Sequence, residues 1–96
     1  MTMNAKELET LLRQRLKAEY AEVRDESARH RGHAGPRQTG GGHYKACVVS
    51  RVFQGLQPVE RHRAVYSALQ NEMKAEIHAL SLKLFTPEEW LKRGGK

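Results

Sequence analysis

A chain of 96 residues with a formal net charge of +6 and a pI near 9.8 has room for one hydrophobic core, burying roughly 60–65% of the surface its unfolded form exposes. Its positive field favours anionic partners, whether nucleic acid or an acidic protein surface. The single cysteine, Cys47, excludes an internal disulfide and fits a reducing compartment, and no apolar run reaches the ~18 residues a membrane-spanning helix needs. The opening Met1-Thr-Met-Asn-Ala-Lys-Glu7 lacks the apolar stretch of a signal peptide, so the expectation is a cytoplasmic protein with no membrane partner.

In chain order, Asn4-Ala-Lys-Glu7 has the form of a capping box, and Leu8, Leu11, Leu12 and Leu16 follow at helical spacing. The first helix is predicted over about residues 5–18. Tyr20 to Glu26 alternates Ala21 and Val23 with Glu22 and Arg24, the pattern of a strand wetted on one side. Residues 27–43 then hold three histidines, three arginines and five glycines without an acid, too long a segment for an ordinary short connection. Tyr44 to Ser50 reads as the clearest strand, able to pair with the first as a long hairpin.

Gln54-Gly55 marks a turn, and Pro58 suits the first position of a second helix because its missing N–H is not needed there. Val59, His62, Val65, Tyr66, Leu69 and Met73 are expected along one face of that helix. Glu76 to Phe85 alternates again, placing His78, Leu80, Leu82 and Leu84 on one side of a third strand. Thr86-Pro-Glu-Glu89 forms another capping box and opens a short helix carrying Trp90 and Leu91. The order α-β-β-α-β-α predicts an α+β fold: a single domain over 1–96, with a three-stranded mixed sheet and helices packed on one face.

Several of these residues form a wider pattern. Asp25-Glu-Ser27, His30, Gly42-His-Tyr-Lys45 with Val48-Val-Ser50, Phe53-x-Gly55, Val59-x-Arg-His-Arg63, His78-Ala-Leu80 and Thr86-Pro-Glu-Glu-Trp90 together resemble the BolA family, across almost the whole chain. The resemblance implies a fold similar to a class II KH domain. It also implies complexes with monothiol glutaredoxins that bridge a [2Fe–2S] cluster, and for some members DNA binding and gene regulation. Carried onto this sequence, the family's C-terminal ligand histidine matches His78 and its variable loop ligand best matches His30, with His33 and His43 as substitutes.

The chemistry of the residues is compatible with a shared cluster. Such a cluster takes four ligands, usually thiolates, and imidazole replaces thiolate on one iron in Rieske centres. One cysteine cannot build an all-thiolate site, so histidines from this chain would need thiolates from elsewhere. The resemblance supplies them as a glutaredoxin cysteine and the thiol of glutathione, with no cofactor in the isolated chain. Read without the family, His78 is a half-buried histidine on an apolar strand face, His30 and His33 are solvated loop residues beside Arg29 and Arg31, and His43 packs beside Tyr44. His62 reads as structural, and Cys47 as a small sheet residue.

The alternative is DNA binding. Arg51, Arg61, Arg63, Lys92 and Arg93, with Lys96 and the basic loop, offer sequence-independent phosphate contacts. Gly32-His-Ala-Gly35 satisfies the G-x-x-G spacing of KH domains but lies between strands, where the KH motif joins two helices. No Ser-His-Asp or Cys-His arrangement, P-loop or H-E-x-x-H motif is present, so an enzyme is not expected. The sequence reading is a non-enzymatic glutaredoxin adaptor, monomeric or weakly dimeric alone, with DNA as the second candidate partner.

Overall fold

The computed structural model describes residues 4–26, 43–75 and 77–94. Helix α1 runs Ala5–Leu16 and opens on the predicted box: the Glu7 N–H donates to Asn4 Oδ1 at 2.8 Å, and the Asn4 N–H donates back to the Glu7 carboxylate at 2.9 Å. It ends two residues before the predicted boundary. Lys17 turns into the left-handed region at φ 52°, and the Ala18 N–H closes on the Arg13 carbonyl, a helix stop more often built on glycine. Leu8, Leu12 and Leu16 are buried against the sheet.

Strands β1 (Tyr20–Asp25) and β2 (His43–Val49) form the expected antiparallel hairpin, and β3 (Ala79–Phe85) lies parallel to β2 on its other edge. The sheet order β1-β2-β3 makes β2 central. Period-2 alternation then divides the residues. Ala21, Val23, Tyr44, Ala46 and Val48 turn into the core, joined by the partly buried Leu80, Leu82 and Leu84. The opposite face carries charge.

A 3-10 turn (Arg51–Phe53) follows β2 and delivers Phe53, fully buried, to the core. Its entry is tied by Ser50, whose hydroxyl donates to the Leu16 carbonyl at 2.6 Å and accepts from the Val52 N–H. The end of α1 and the end of β2 are thereby fastened to each other by one buried side chain.

The predicted second helix is divided into α2 (Pro58–Ala68) and α3 (Gln70–Ala75). Between them Leu69 departs from helical geometry at φ −107°, while its side chain is fully buried and the Met73 N–H still bonds its carbonyl. The buried stripe is narrower than predicted. Val65 and Leu69 face the core, whereas Val59 and Tyr66 are exposed, because a row at i, i+4 suffices for the area the sheet presents. Arg15 of α1 bridges this region, bonding the Ala68 carbonyl and the Glu72 carboxylate at 2.7 and 2.8 Å.

The third strand also starts later than predicted. Ile77 is buried and bonds the Glu72 carbonyl, and His78 precedes the strand, exposed rather than sharing the apolar face of Leu80, Leu82 and Leu84. Helix α4 (Pro87–Lys92) opens on the predicted Thr86–Glu89 box and lays Trp90 against Tyr20 and Phe85. Arg61 joins three elements at this end, donating to the Leu56 and Leu84 carbonyls and, through both terminal nitrogens, to Glu89 at 2.7 and 3.1 Å. Near the start of β3 the Tyr66 hydroxyl reaches the Leu80 carbonyl at 3.4 Å.

Two outcomes follow from these contacts. Ser50→Ala strands a buried carbonyl and N–H, and is expected to cost about 1–3 kcal/mol, read as a lower urea midpoint at unchanged slope. Glu89 is held at about 2, below its ordinary 4.5, chiefly by Arg61 and then by the Thr86 N–H. Its contribution to stability is therefore full above the ordinary value and is lost as pH falls through about 2. It is modest in size, since the carboxylate is half exposed. Glu89→Gln is expected to flatten that acid limb in melting curves recorded against pH; a limb of unchanged slope would remove the ion pair from the account.

Candidate functional site

The hairpin places His43 as the first residue of β2, and the parallel register sets Ala79 opposite it. His78, one residue earlier, therefore arrives beside His43. Their rings stack with centroids 5.5 Å apart and planes 27° from parallel. His43 is half buried and His78 is exposed. The Glu26 N–H donates to the His43 carbonyl at 2.8 Å, so the residue that follows the first strand and the first residue of the second are bonded where the segment 27–42 leaves and re-enters. Of the sequence candidates, the structure thus brings together His78 and His43; His30 and His33 lie outside the described residues.

The donor set fits half of an iron site. Two adjacent imidazoles at an exposed corner match the ligands of one iron in a mixed imidazole–thiolate centre. No thiolate is at hand: Cys47 lies four residues along β2 from His43, roughly 13 Å away at strand rise. Among the described residues no group of three or more His, Cys, Asp or Glu side chains is placed to hold a metal ion. Among the described residues nothing supplies the remaining ligands of a cluster at this corner.

Cys47 is half buried on the face away from the helices, and its environment does not favour thiolate. Burial pushes the thiol up, Glu22 adds to the rise, and Arg93 and Lys83 oppose it.

The basic candidates gather at the other end of the sheet, beyond the length of β2, roughly 20 Å from the histidines. Arg51 pairs with Glu19 at 3.1 Å, and Arg61 is largely buried against Glu89. The Arg93 guanidinium sits 4.7 Å over the Phe85 ring. Arg63 and Lys92 are exposed and, among the described residues, make no ion pair. His62 bonds the Pro58 carbonyl one turn back at 2.9 Å, a structural placement.

The sequence reading missed a further group of cations. Arg24, Lys45 and Lys83 stand on the outer face of β1, β2 and β3 respectively. Their signal was the alternation of each strand, but only the register reveals that they are neighbours.

A family model described as BolA-like protein matches residues 12–89. BolA-like protein 1 of cattle (Bos taurus) is 41% identical over 83 residues, covering 86% of this chain and 58% of that protein. The DNA-binding transcriptional regulator BolA of Escherichia coli is 39% identical over 83 residues, covering 86% of this chain and 75% of its own. The solved structure of BolA1 from Arabidopsis thaliana superposes with a TM-score of 0.76 at 34% identity, over 93% of this chain and 97% of that one. Among the described residues, no helix is long and apolar enough to cross a membrane.

Proposed function

Because the chain belongs to the BolA-like family, we propose that it is a non-enzymatic adaptor that binds a monothiol glutaredoxin and co-ligates a bridging [2Fe–2S] cluster through His78 and His43. The observation that carries this reading is the stacked histidine pair, two imidazoles 5.5 Å apart at an exposed corner of the sheet. Of the histidines the sequence offers as second ligand, His30 with His33 and His43 as substitutes, His43 is the one that stands beside His78 among the described residues. Glutaredoxin and glutathione supply the thiolates that this chain lacks at that corner. When bound, the cluster offers one-electron chemistry at a potential that imidazole ligation raises. The chain's own part is to hold two imidazoles side by side, one on β2 and one at the entry to β3.

A second reading follows from the name of the Escherichia coli relative, a DNA-binding transcriptional regulator. It uses the basic end of the sheet, where Arg63 and Lys92 are exposed. With the two candidate sites at opposite ends of β2, one chain has room for both activities.

Reconstituting iron and sulfide with a monothiol glutaredoxin and glutathione tests the first reading. This chain is expected to change the visible absorption and circular dichroism of the cluster, and His78→Ala or His43→Ala to abolish that change while far-ultraviolet spectra stay native. A heterocomplex spectrum indifferent to both substitutions would refute the assignment. For the second reading, binding of duplex DNA by the chain alone is expected to weaken steeply with salt, and Arg63→Ala to reduce the slope of log affinity against log salt by about one contact. Affinity independent of salt would remove it.

A further inference from the structure

The face of the sheet turned away from α1 and α2 is covered, among the described residues, at one end, where Trp90 of α4 lies on Tyr20 and Phe85. Beyond Trp90 it forms an open concavity of about 470 Å³, lined by residues of all three strands. The register sets its side chains in two rows across the sheet: Glu22–Cys47–Lys83 and Arg24–Lys45–Ser81.

These rows are electrostatically unbalanced. Arg24 and Lys45 are direct partners across an antiparallel pair and point to the same side, where like charges destabilise the sheet. Lys83 lies diagonal to Lys45, about 7–8 Å away. Elsewhere four arginines, Arg13, Arg15, Arg51 and Arg61, each hold a glutamate. Among the described residues, Glu22 is the single acid lining the concavity. It stands 4.0 Å from Arg24 and accepts a bond from the Tyr20 hydroxyl. Among the described residues, Lys45 and Lys83 make no ion pair.

We propose that this face is a binding site for a small peptide-like dicarboxylate, a molecule of about tripeptide size that carries two separated carboxylates and one ammonium group. One carboxylate lies between Arg24 and Lys45, the second meets Lys83, and the ammonium meets Glu22. The volume falls in the range of small-molecule sites, and three cations with one anion complement a ligand of two anions and one cation. A phosphodiester strand fits less well. Glu22 repels a continuous row of phosphates, and neither row contains an aromatic ring on which a base would stack. Cys47 and Ser81 contribute neutral hydrogen-bonding groups to the floor, and binding is non-covalent. The inference concerns the chain alone and does not rest on the cluster reading, although His43 lies only two residues before Lys45 on the same strand face.

The test is a titration of the isolated full chain, without iron or glutaredoxin, followed by amide proton–nitrogen NMR. Glutathione and S-methylglutathione serve as probes, the second lacking a free thiol. Both are expected to shift Lys45, Cys47 and Lys83 saturably, and Lys45→Gln with Lys83→Gln to weaken binding about tenfold. Lys45→Gln removes a repulsion, so its melting temperature is expected to hold or rise, which keeps loss of fold out of the result. Glu22→Gln is expected to weaken both peptides while strengthening inorganic phosphate. The inference is overturned if neither peptide shifts these residues, or if inorganic phosphate or an oligothymidylate binds them as tightly as glutathione does. The glutaredoxin reconstitution reads the spectrum of the cluster, whereas this titration reads the chain alone, so either idea can fail while the other stands.

Discussion

Strand β2 is the constraint on which the molecule depends. It is hydrogen-bonded along both edges, antiparallel to β1 and parallel to β3, and each of its residues belongs either to the core or to the open face. A slip of one residue would exchange the two sets, sending Lys45 and Cys47 under the helices and Tyr44, Ala46 and Val48 into water. The burial of those three, at 3%, 4% and 0% exposure, sets the register firmly. Because β3 follows β2 in parallel, the same register decides that the residue before β3 arrives beside the residue that starts β2. The pairing of the two histidines therefore follows from the register that core packing sets.

The two ends of the sheet are built differently. At the end of β2, Ser50, Phe53, Arg61 and Trp90 gather the turns and the final helix into a network of buried contacts. At the start of β2 the ladder closes with the bond from Glu26 to His43, where the segment 27–42 leaves and re-enters. The tied end maintains the fold, while the histidine end presents its side chains at a corner that other molecules can reach. The proposed roles divide in the same way, with histidine ligation at one end, phosphate contacts at the other, and the charged sheet face between them.

Local chemistry was legible in the sequence where it involved residues close along the chain. The boxes at Asn4–Glu7 and Thr86–Glu89, the proline opening α2 and the alternation of the strands all appear as read. A third box, Gln57 with Glu60, escaped notice because glutamine is an uncommon cap. The break at Leu69 was invisible because no proline or glycine marks it; burial of that leucine, a tertiary demand, bends the chain. His78 was misplaced on the apolar face because alternation was carried back past the true start of the strand. The neighbouring of Arg24, Lys45 and Lys83 was beyond reach for another reason: it is a property of register, and one strand's pattern carries no information about the offset of the next.

Arg61 and Tyr66 also act on something outside the folded monomer. β3 lies at the margin of the sheet, and its outward carbonyls at Leu80 and Leu84 accept bonds from Tyr66 and Arg61 of α2. A bare strand margin is a template on which another chain can extend the sheet, the first step toward fibrils. By occupying two acceptors along that margin, and by laying bulky side chains over it, helix α2 denies the template its repeat. The residues that draw attention as basic and aromatic surface thus serve colloidal safety, keeping a small chain with a half-open sheet from polymerising through its own edge.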